Sequence, residues 1–413
     1  MAGTGQTSPA PAAPQGAPTS KPGAGLNLAL ATWAFAITFW AWNLVGPLAT
    51  VYSDDLGLSS TQKALLVATP VLVGAVGRIP VGALTDRFGG RTVLATLSFV
   101  SIVPVLLVAL AGSVGSYPLL LLFGFLLGIP GTSFAAGIPF VNGWYEPRRR
   151  GFATGLFGAG MGGTALSSFF TPRFVDWFGY TAAHVVIAAA LAATGALLLA
   201  LMRNAPGWAP STEKVMPKLR AAARLPVTWQ MSFLYAVTFG GFVAFSTYLP
   251  TYLKSVYDFD LAGAGARTAG FALAAVVARP LGGVLSDRTN PRLVVLISLA
   301  GAAAAAAVMA LKPAPEIPAG LDFLATAFFL GLGAGGVFAW VARRTPPERV
   351  GSVTGVVGAA GGLGGYFPPL VMGATYDEAT HSYTIGLVLL VATALLALLY
   401  AATRLRDTRA GAS

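Results

Sequence analysis

Two arginines stand in stretches that otherwise read as membrane-crossing helix. Arg78 lies within VLVGAVGRIPVGALTDRFGGR, residues 71–91, and Arg279 opens RPLGGVLSDRTNPR, residues 279–292. Each precedes an aspartate, Asp86 or Asp287, by eight residues. At 1.5 Å per residue this sets both cations about 12 Å inside a helix. A guanidinium keeps its proton and offers a planar fork that pairs with a flat oxyanion through two parallel hydrogen bonds. The expected chemistry is recognition of a small planar anion. The alternative fates are bonding to helix carbonyls or snorkelling to an interface. All 15 acidic residues fall in expected loops or at helix ends. No carboxylate sits at the depth of either arginine to neutralise it, and the pair calls for a counter-ion from outside the chain.

The elements that must carry these arginines are membrane spans. Of the 413 residues, 55% are hydrophobic and 10% charged, against about 25% charged in a soluble domain, and the mean hydropathy is +0.71. Apolar runs of about 20 residues recur along the chain, each long enough to cross a bilayer as a helix. Twelve spans are expected, near 26–51, 62–85, 92–112, 117–143, 152–175, 181–203, 227–253, 264–286, 292–311, 319–342, 351–376 and 382–404. Turn and charge signals such as SDDLGLSS, EPRRR and RRTPPER separate them.

The net charge of +11 suggests nucleic acid at first sight. Its placement argues for a membrane instead. With both termini on one side, that side collects Arg87, Arg91, Arg148 to Arg150, Arg203, Lys218, Arg288, Arg343 and Arg344. The other side holds only Lys63, Arg173, Lys254, Arg267 and Lys312. The positive-inside rule then puts both termini in the cytoplasm. Residues 1–25, rich in Pro, Gly, Ala, Ser and Thr, read as a disordered tail with no cleaved signal. The chain has no cysteine, so disulfides and thiol chemistry are excluded.

The arginine stretches are also an internal repeat. At an offset of 201 residues Arg78 aligns with Arg279, Gly82 with Gly283, Asp86 with Asp287, Arg87 with Arg288 and Arg91 with Arg292. At an offset of 200, GFATGLFGAG from Gly151 aligns with GSVTGVVGAA from Gly351. Two matched pairs imply two homologous halves of six helices, placed as parallel copies about the membrane normal. The expected fold is an all-α membrane protein of twelve transmembrane helices in two pseudo-symmetric six-helix halves. Its divisions are a tail 1–25, a first half 26–203, a cytoplasmic linker 204–226, a second half 227–404 and a tail 405–413.

This layout resembles the major facilitator superfamily, most specifically at GALTDRFGGR, residues 82–91. The resemblance implies that Asp86, Arg87, Arg91, Asp287 and Arg288 act as a cytoplasmic conformational latch; plain positive-inside anchoring is the other reading. TGLFGAGMGG and TGVVGAAGGLGGYFPP in spans 5 and 11, LYAVTFGGFVAFS at 234–246 and SFAAGIPFVNGWYEPRRRG at 133–151 narrow the likeness. By these stretches the chain resembles the nitrate/nitrite porter family within the superfamily. This resemblance implies a planar anion held between Arg78 and Arg279 and sandwiched by aromatic rings at Phe134, Tyr235 and Phe239. It also implies two glycine motifs, Gly155, Gly158, Gly160, Gly162 and Gly163 on span 5 and Gly355, Gly358, Gly361 and Gly362 on span 11. By composition alone such glycines pack helices closely, and aromatics within spans pack cores. One departure stands out: the family commonly has asparagine where this chain has Gly163. Asn142 and Thr164 are polar residues close by.

The function expected from these features is secondary transport of nitrate and/or nitrite across the cell inner membrane by alternating access, as nitrate/nitrite exchange. Alternatives are another small organic anion, proton-coupled nitrate symport, or a transporter-like sensor. No enzyme, cofactor, metal site or nucleic-acid partner is expected, and the monomer is the expected functional unit. The histidines, His184 and His381, sit toward outer helix ends and loops, too shallow for a central proton relay.

Overall fold

A computed structural model describes residues 20–146, 149–211, 215–346 and 349–405. The remaining parts of the expected tails and linker, residues 1–19, 212–214 and 406–413, lie outside the described residues. Among the described residues, twelve helical segments cross the molecule. Span 1 is Ala24–Leu56, span 2 Ser60–Phe88, span 3 Gly90–Val114 and span 4 Tyr117–Trp144. Span 5 runs from Arg150–Gly158 through the 3₁₀ turn Ala159–Gly162 to Gly163–Phe178. Span 6 is Tyr180–Leu201, span 7 Pro226–Tyr257, span 8 Leu261–Arg288 and span 9 Pro291–Ala310. Span 10 is Ile317–Arg344, span 11 Val350–Ala374 and span 12 Thr384–Arg404.

Eleven of these are long and apolar enough to cross a membrane by length and composition. Span 5 falls short because its glycines, Ser167, Ser168, Arg173 and Asp176 dilute the apolar residues. Span 1 begins at Ala24, and Ser20 and Lys21 already pair with the end of span 4, where the Lys21 N–H donates to the Trp144 carbonyl at 3.2 Å. The expected tail of residues 1–25 is therefore corrected: its last residues are structured against span 4.

Prolines explain most of the irregularity. A proline has no N–H for the carbonyl four residues earlier. Span 1 breaks at Asn43, span 2 after Val76, span 3 at Val100, span 4 after Leu126 and span 11 after Gly364. Pro47, Pro80, Pro104, Pro130 and Pro368 each stand four residues beyond one of those points. The break in span 2 makes Arg78 the first residue of a new helical segment, Arg78–Phe88. The break in span 4 passes through the turn Ile129–Thr132 and sets Phe134 at the start of Ser133–Trp144.

The repeat seen in the sequence is also a structural one. Arg91 donates to the Leu199 carbonyl at the end of span 6, and Arg292 donates to the Ala402 carbonyl at the end of span 12. Cations thus cap equivalent helix C-termini, where unpaired carbonyls and the helix dipole favour them. On the side away from the termini, here the far side, spans of the two halves touch through glycine. A Cβ at Gly46 of span 1 would lie 2.8 Å from the Thr247 carbonyl oxygen of span 7. One at Gly373 of span 11 would lie 2.7 Å from the Ser60 carbonyl oxygen, and one at Gly265 of span 8 would strike the Ser168 carbonyl oxygen. Lys254 pairs with Asp54 across the same side at 2.5 Å. The far side is sealed.

Candidate functional site

Arg78 and Arg279 meet at the level where the halves face each other. Arg78 is 4% exposed. Its Nη1 donates to the Gly358 carbonyl at 2.7 Å, a bond from span 2 to span 11. Its Nε and Nη2 have no hydrogen-bond partner. The alternative fate of bonding a helix carbonyl is thus realised for one donor and leaves two buried donors unsatisfied, a costly state unless a ligand takes them. Arg279 donates from Nη2 to the Tyr235 hydroxyl at 2.8 Å, and its Nη1 lies 3.3 Å from the Met161 sulfur. Neither guanidinium pairs with a carboxylate among the described residues.

The rings frame the gap between the cations. Phe134 and Phe239 are 6.4 Å apart at their centroids and 21° from parallel. The Arg78 guanidinium carbon lies 5.2 Å from Phe134 and 5.5 Å from Phe239. The Arg279 carbon lies 5.5 and 5.3 Å from the same rings. All four distances are within the range of a cation–π contact. Together they put each guanidinium carbon about 4.3 Å from the point midway between the ring centres. A forked guanidinium–oxyanion pair with N···O near 2.8 Å separates the two central atoms by about 4 Å. The midpoint therefore suits the centre of a flat oxyanion for both arginines at once, with a ring on either face. A tetrahedral anion is thicker and would have to part the rings.

The supporting shell holds this geometry. Phe134 packs on Phe35 and Phe157 at 5.6 and 6.2 Å. Tyr235 lies parallel to Phe239 at 4.9 Å. Tyr235, Phe239 and Phe35 are each buried to within 1%. Phe338 of span 10 meets Tyr235 edge-on at 4.6 Å and lies 5.6 Å from the Arg279 guanidinium. Met161 and Phe338 on Arg279, and the Gly358 carbonyl on Arg78, are contacts that motif reading alone left out. Met161 sits inside GAGMGG, and Phe338 lies on the span that the repeat pairs with span 4; those were the available signals.

The glycine motifs divide into two kinds. A Cβ at Gly155, Gly158, Gly162 or Gly355 would meet nothing within 4 Å, and one at Gly358 only the Phe134 ring at 3.9 Å. Gly158 is nevertheless buried, so it borders empty space inside the molecule, while the buried Gly358 borders the Phe134 ring. The others are helix crossings. Gly160 lies against Phe35 and Gly361 against the Tyr235 ring, and a Cβ at Gly362 would lie 2.8 Å from the Ala75 Cβ and 3.4 Å from Arg78 Nη1.

Gly163 corrects the comparison drawn from the family pattern. A Cβ there would run into the Ala36 carbonyl oxygen of span 1. This packing has no room for asparagine, and Gly163 serves the crossing of spans 1 and 5 rather than the anion gap. Asn142 accepts from Thr154 at 2.9 Å and Thr164 donates to the Met161 carbonyl at 2.9 Å. Neither is bonded to the arginine pair.

The expected latch residues lie apart from this site. Asp86, Arg87, Asp287 and Arg288 are exposed at the terminal-side ends of spans 2 and 8. The Arg87 guanidinium lies 5.4 Å from the Phe88 ring, and the Asp86 carbonyl accepts from the Ser211 N–H of the linker at 2.9 Å. Arg91 holds the end of span 6, as described above.

Twelve helices in two repeated halves, with a paired cationic gap where they meet, define a polytopic membrane carrier. The family model for the Major Facilitator Superfamily matches residues 31–339 and 260–412. The chain belongs to that superfamily, in its nitrate/nitrite porter family. It is 62% identical over 385 residues to the probable nitrate/nitrite transporter NarK2 of Mycobacterium tuberculosis strain H37Rv, covering 93% of this chain and 98% of that one. It is 32% identical over 373 residues to the nitrite extrusion protein of Bacillus subtilis strain 168, covering 90% and 92%. The probable nitrate/nitrite antiporter NarK1 of Thermus thermophilus is 32% identical over 370 residues, covering 83% of each chain. Among solved structures, a bacterial homologue of the human lysosomal transporter Spinster, crystallised inward-facing and occupied, superposes with a TM-score of 0.71 at 19% identity. It covers 95% of this chain and 100% of that one, a likeness of fold.

Proposed function

We propose that the protein carries nitrate and nitrite across the cytoplasmic membrane by alternating access, as an exchange of one anion for the other. The observation that carries this reading is the position midway between Phe134 and Phe239. It lies about 4.3 Å from both guanidinium carbons, and Arg78 has two buried donors without a partner. The relatives named for nitrate and nitrite transport favour the same substrates.

The positive-inside bias sets both termini in the cytoplasm, so the sealed far side is extracytoplasmic and the open motif glycines face the cytoplasmic half of the path. The latch residues Asp86, Arg87, Arg91, Asp287 and Arg288 would engage when the cytoplasmic side closes. The functional unit is a monomer with a first half 26–203, a linker 204–226 and a second half 227–404. Exchange follows from the cations. Their carbons are at most about 8.6 Å apart, and at an effective dielectric near 20 their repulsion is roughly 2 kcal/mol. An anion between them removes that penalty, so the loaded carrier crosses more readily than the empty one.

Counterflow in proteoliposomes tests the reading. Nitrite loaded inside should accelerate entry of labelled nitrate with no pH gradient imposed. Uptake that proceeds equally from empty vesicles would rule out obligatory exchange.

A further inference from the structure

Span 10 holds a buried acid that the anion site does not use. Asp322 is the sixth residue of Ile317–Arg344 and 7% exposed, and its Oδ2 has no hydrogen-bond partner. It lies about 7.5 Å below the far-side end of the helix. One turn further, Thr326 is 1% exposed and its Oγ1 is also without a partner. Four buried helical threonines, Thr38, Thr85, Thr238 and Thr268, return their hydroxyl to the carbonyl four residues earlier, whereas Thr50 and Thr251, like Thr326, have a hydroxyl without a partner. Thr326 forgoes that bond. Residues four apart share one helix face, so this face of span 10 presents two unsatisfied side-chain oxygens together.

The surroundings offer no counter-charge. From span 7 the hydroxyls of Tyr252 and Tyr257 come within electrostatic reach of Asp322, while bonding the Met309 and Pro313 carbonyls at 3.4 and 2.8 Å. Arg267 of span 8 donates from Nη2 to both Glu316 oxygens at 2.9 Å. Lys312 donates to the Thr380 carbonyl, and Lys254 to Asp54. Span 9 carries no titratable side chain except Arg292 at its opposite end, and span 11 only Tyr366. The repeat offset of 200 places an apolar residue, Leu122, at the equivalent point of the first half. A charged carboxylate buried without a cation costs several kcal/mol, and a proton is the smallest ligand that removes the charge.

We propose that Asp322, with the Thr326 hydroxyl beside it, is a proton-binding site near the far side of the second half. It rests on the transporter reading and deepens it by adding a second ligand, a proton taken from the extracytoplasmic side. On that orientation the site lies nearer the extracytoplasmic end of its helix than Gly46 and Thr247 lie to the ends of theirs. Its occupancy then biases the step in which the far side opens, and external pH becomes a modulator of entry.

The test is infrared difference spectroscopy on the reconstituted full-length protein, following the C=O stretch of a protonated carboxyl as pH is raised. The expected result is a titrating band that Asp322→Asn removes and Asp322→Glu displaces in frequency. Thr326→Val should shift the band without removing it. Nitrate entry should vary with external pH in the native protein, by up to about tenfold per pH unit on the alkaline side of the titration. In Asp322→Asn that dependence should flatten. Identical spectra for the native protein and Asp322→Asn, or an unchanged pH dependence of entry, would overturn the proposal. Nitrate binding is measured on the same samples. A native protein that binds no nitrate yet shows the Asp322 band would defeat the transporter reading and leave the proton site standing. If Asp322→Asn does not assemble, the frequency shifts of Asp322→Glu and Thr326→Val decide the matter.

Discussion

Arg78 keeps one foot in the protein and two donors free. Its bond to the Gly358 carbonyl orients the fork, while Nε and Nη2 stay buried and unsatisfied. Arg279 is held differently, by a hydroxyl and by a thioether, which is a weak acceptor. A weak partner leaves a guanidinium available to an anion, so Met161 suits its place. Replacing Tyr235 with Phe removes the hydroxyl that accepts from Arg279 and with it the bond that orients that guanidinium. A hydrogen bond to a charged group contributes about 1.5–3 kcal/mol, so nitrate binding to Tyr235→Phe should weaken roughly 10-fold or more by calorimetry. Affinity equal to the native value would show that the hydroxyl plays no part. The arginines were legible in the residues themselves, because a cation repeated at one depth without an acid is conspicuous. Phe134, Tyr235 and Phe239 were legible only through family resemblance. Met161 and Phe338 were not, since nothing in spacing says which face of spans 5 and 10 turns inward.

The elements owe their shape to proline and glycine. Prolines four residues past each break free a carbonyl and bend spans 1, 2, 3, 4 and 11. Glycine density on spans 5 and 11 was plain in the sequence. Which glycines face space and which face a neighbouring helix depends on the rotation of each helix, a tertiary property. Gly163 shows the difference: the pattern puts it in the span 5 glycine motif without saying what it faces, and packing puts it under Ala36 of span 1. Gly163→Asn should therefore destabilise the fold by at least about 1–3 kcal/mol, the usual cost of overpacking, and lower the thermal midpoint in detergent. Gly155→Ala, at a position open to space, should leave the midpoint nearly unchanged. Equal midpoints for native and Gly163→Asn protein would contradict the assigned crossing. Gly361→Ala should displace the Tyr235 ring and reduce nitrate affinity while the helical content stays native by circular dichroism.

At the scale of the molecule, the two halves close on the far side through carbonyl–glycine crossings rather than through interdigitated large side chains. Such seams hold only while the backbones stay in register. Gly46→Val would thrust a branched side chain at the Thr247 carbonyl, now 2.8 Å from the Cβ position. Spin labels on the far-side ends of spans 1 and 7 should then report longer distances, with transport reduced. Unchanged distances would mean that the seal rests elsewhere, for instance on the Lys254–Asp54 pair. That pair is exposed, and pairs of its kind contribute about 0.2–1 kcal/mol. The doubling of the molecule was written in the offsets of 200 and 201 residues. The state in which the halves rest was not, because the same residues must also form the opposite closure.

The central claim is that one flat oxyanion bridges Arg78 and Arg279 between Phe134 and Phe239. Lysine keeps the charge of arginine but lacks its fork, so calorimetric titration of nitrate into Arg78→Lys and Arg279→Lys beside the native carrier addresses it most directly. The account predicts affinity reduced at least about tenfold in each variant, the loss of one charge-assisted hydrogen bond, with no competition from sulfate in the native protein. Nitrate bound with native affinity by both lysine variants would contradict it.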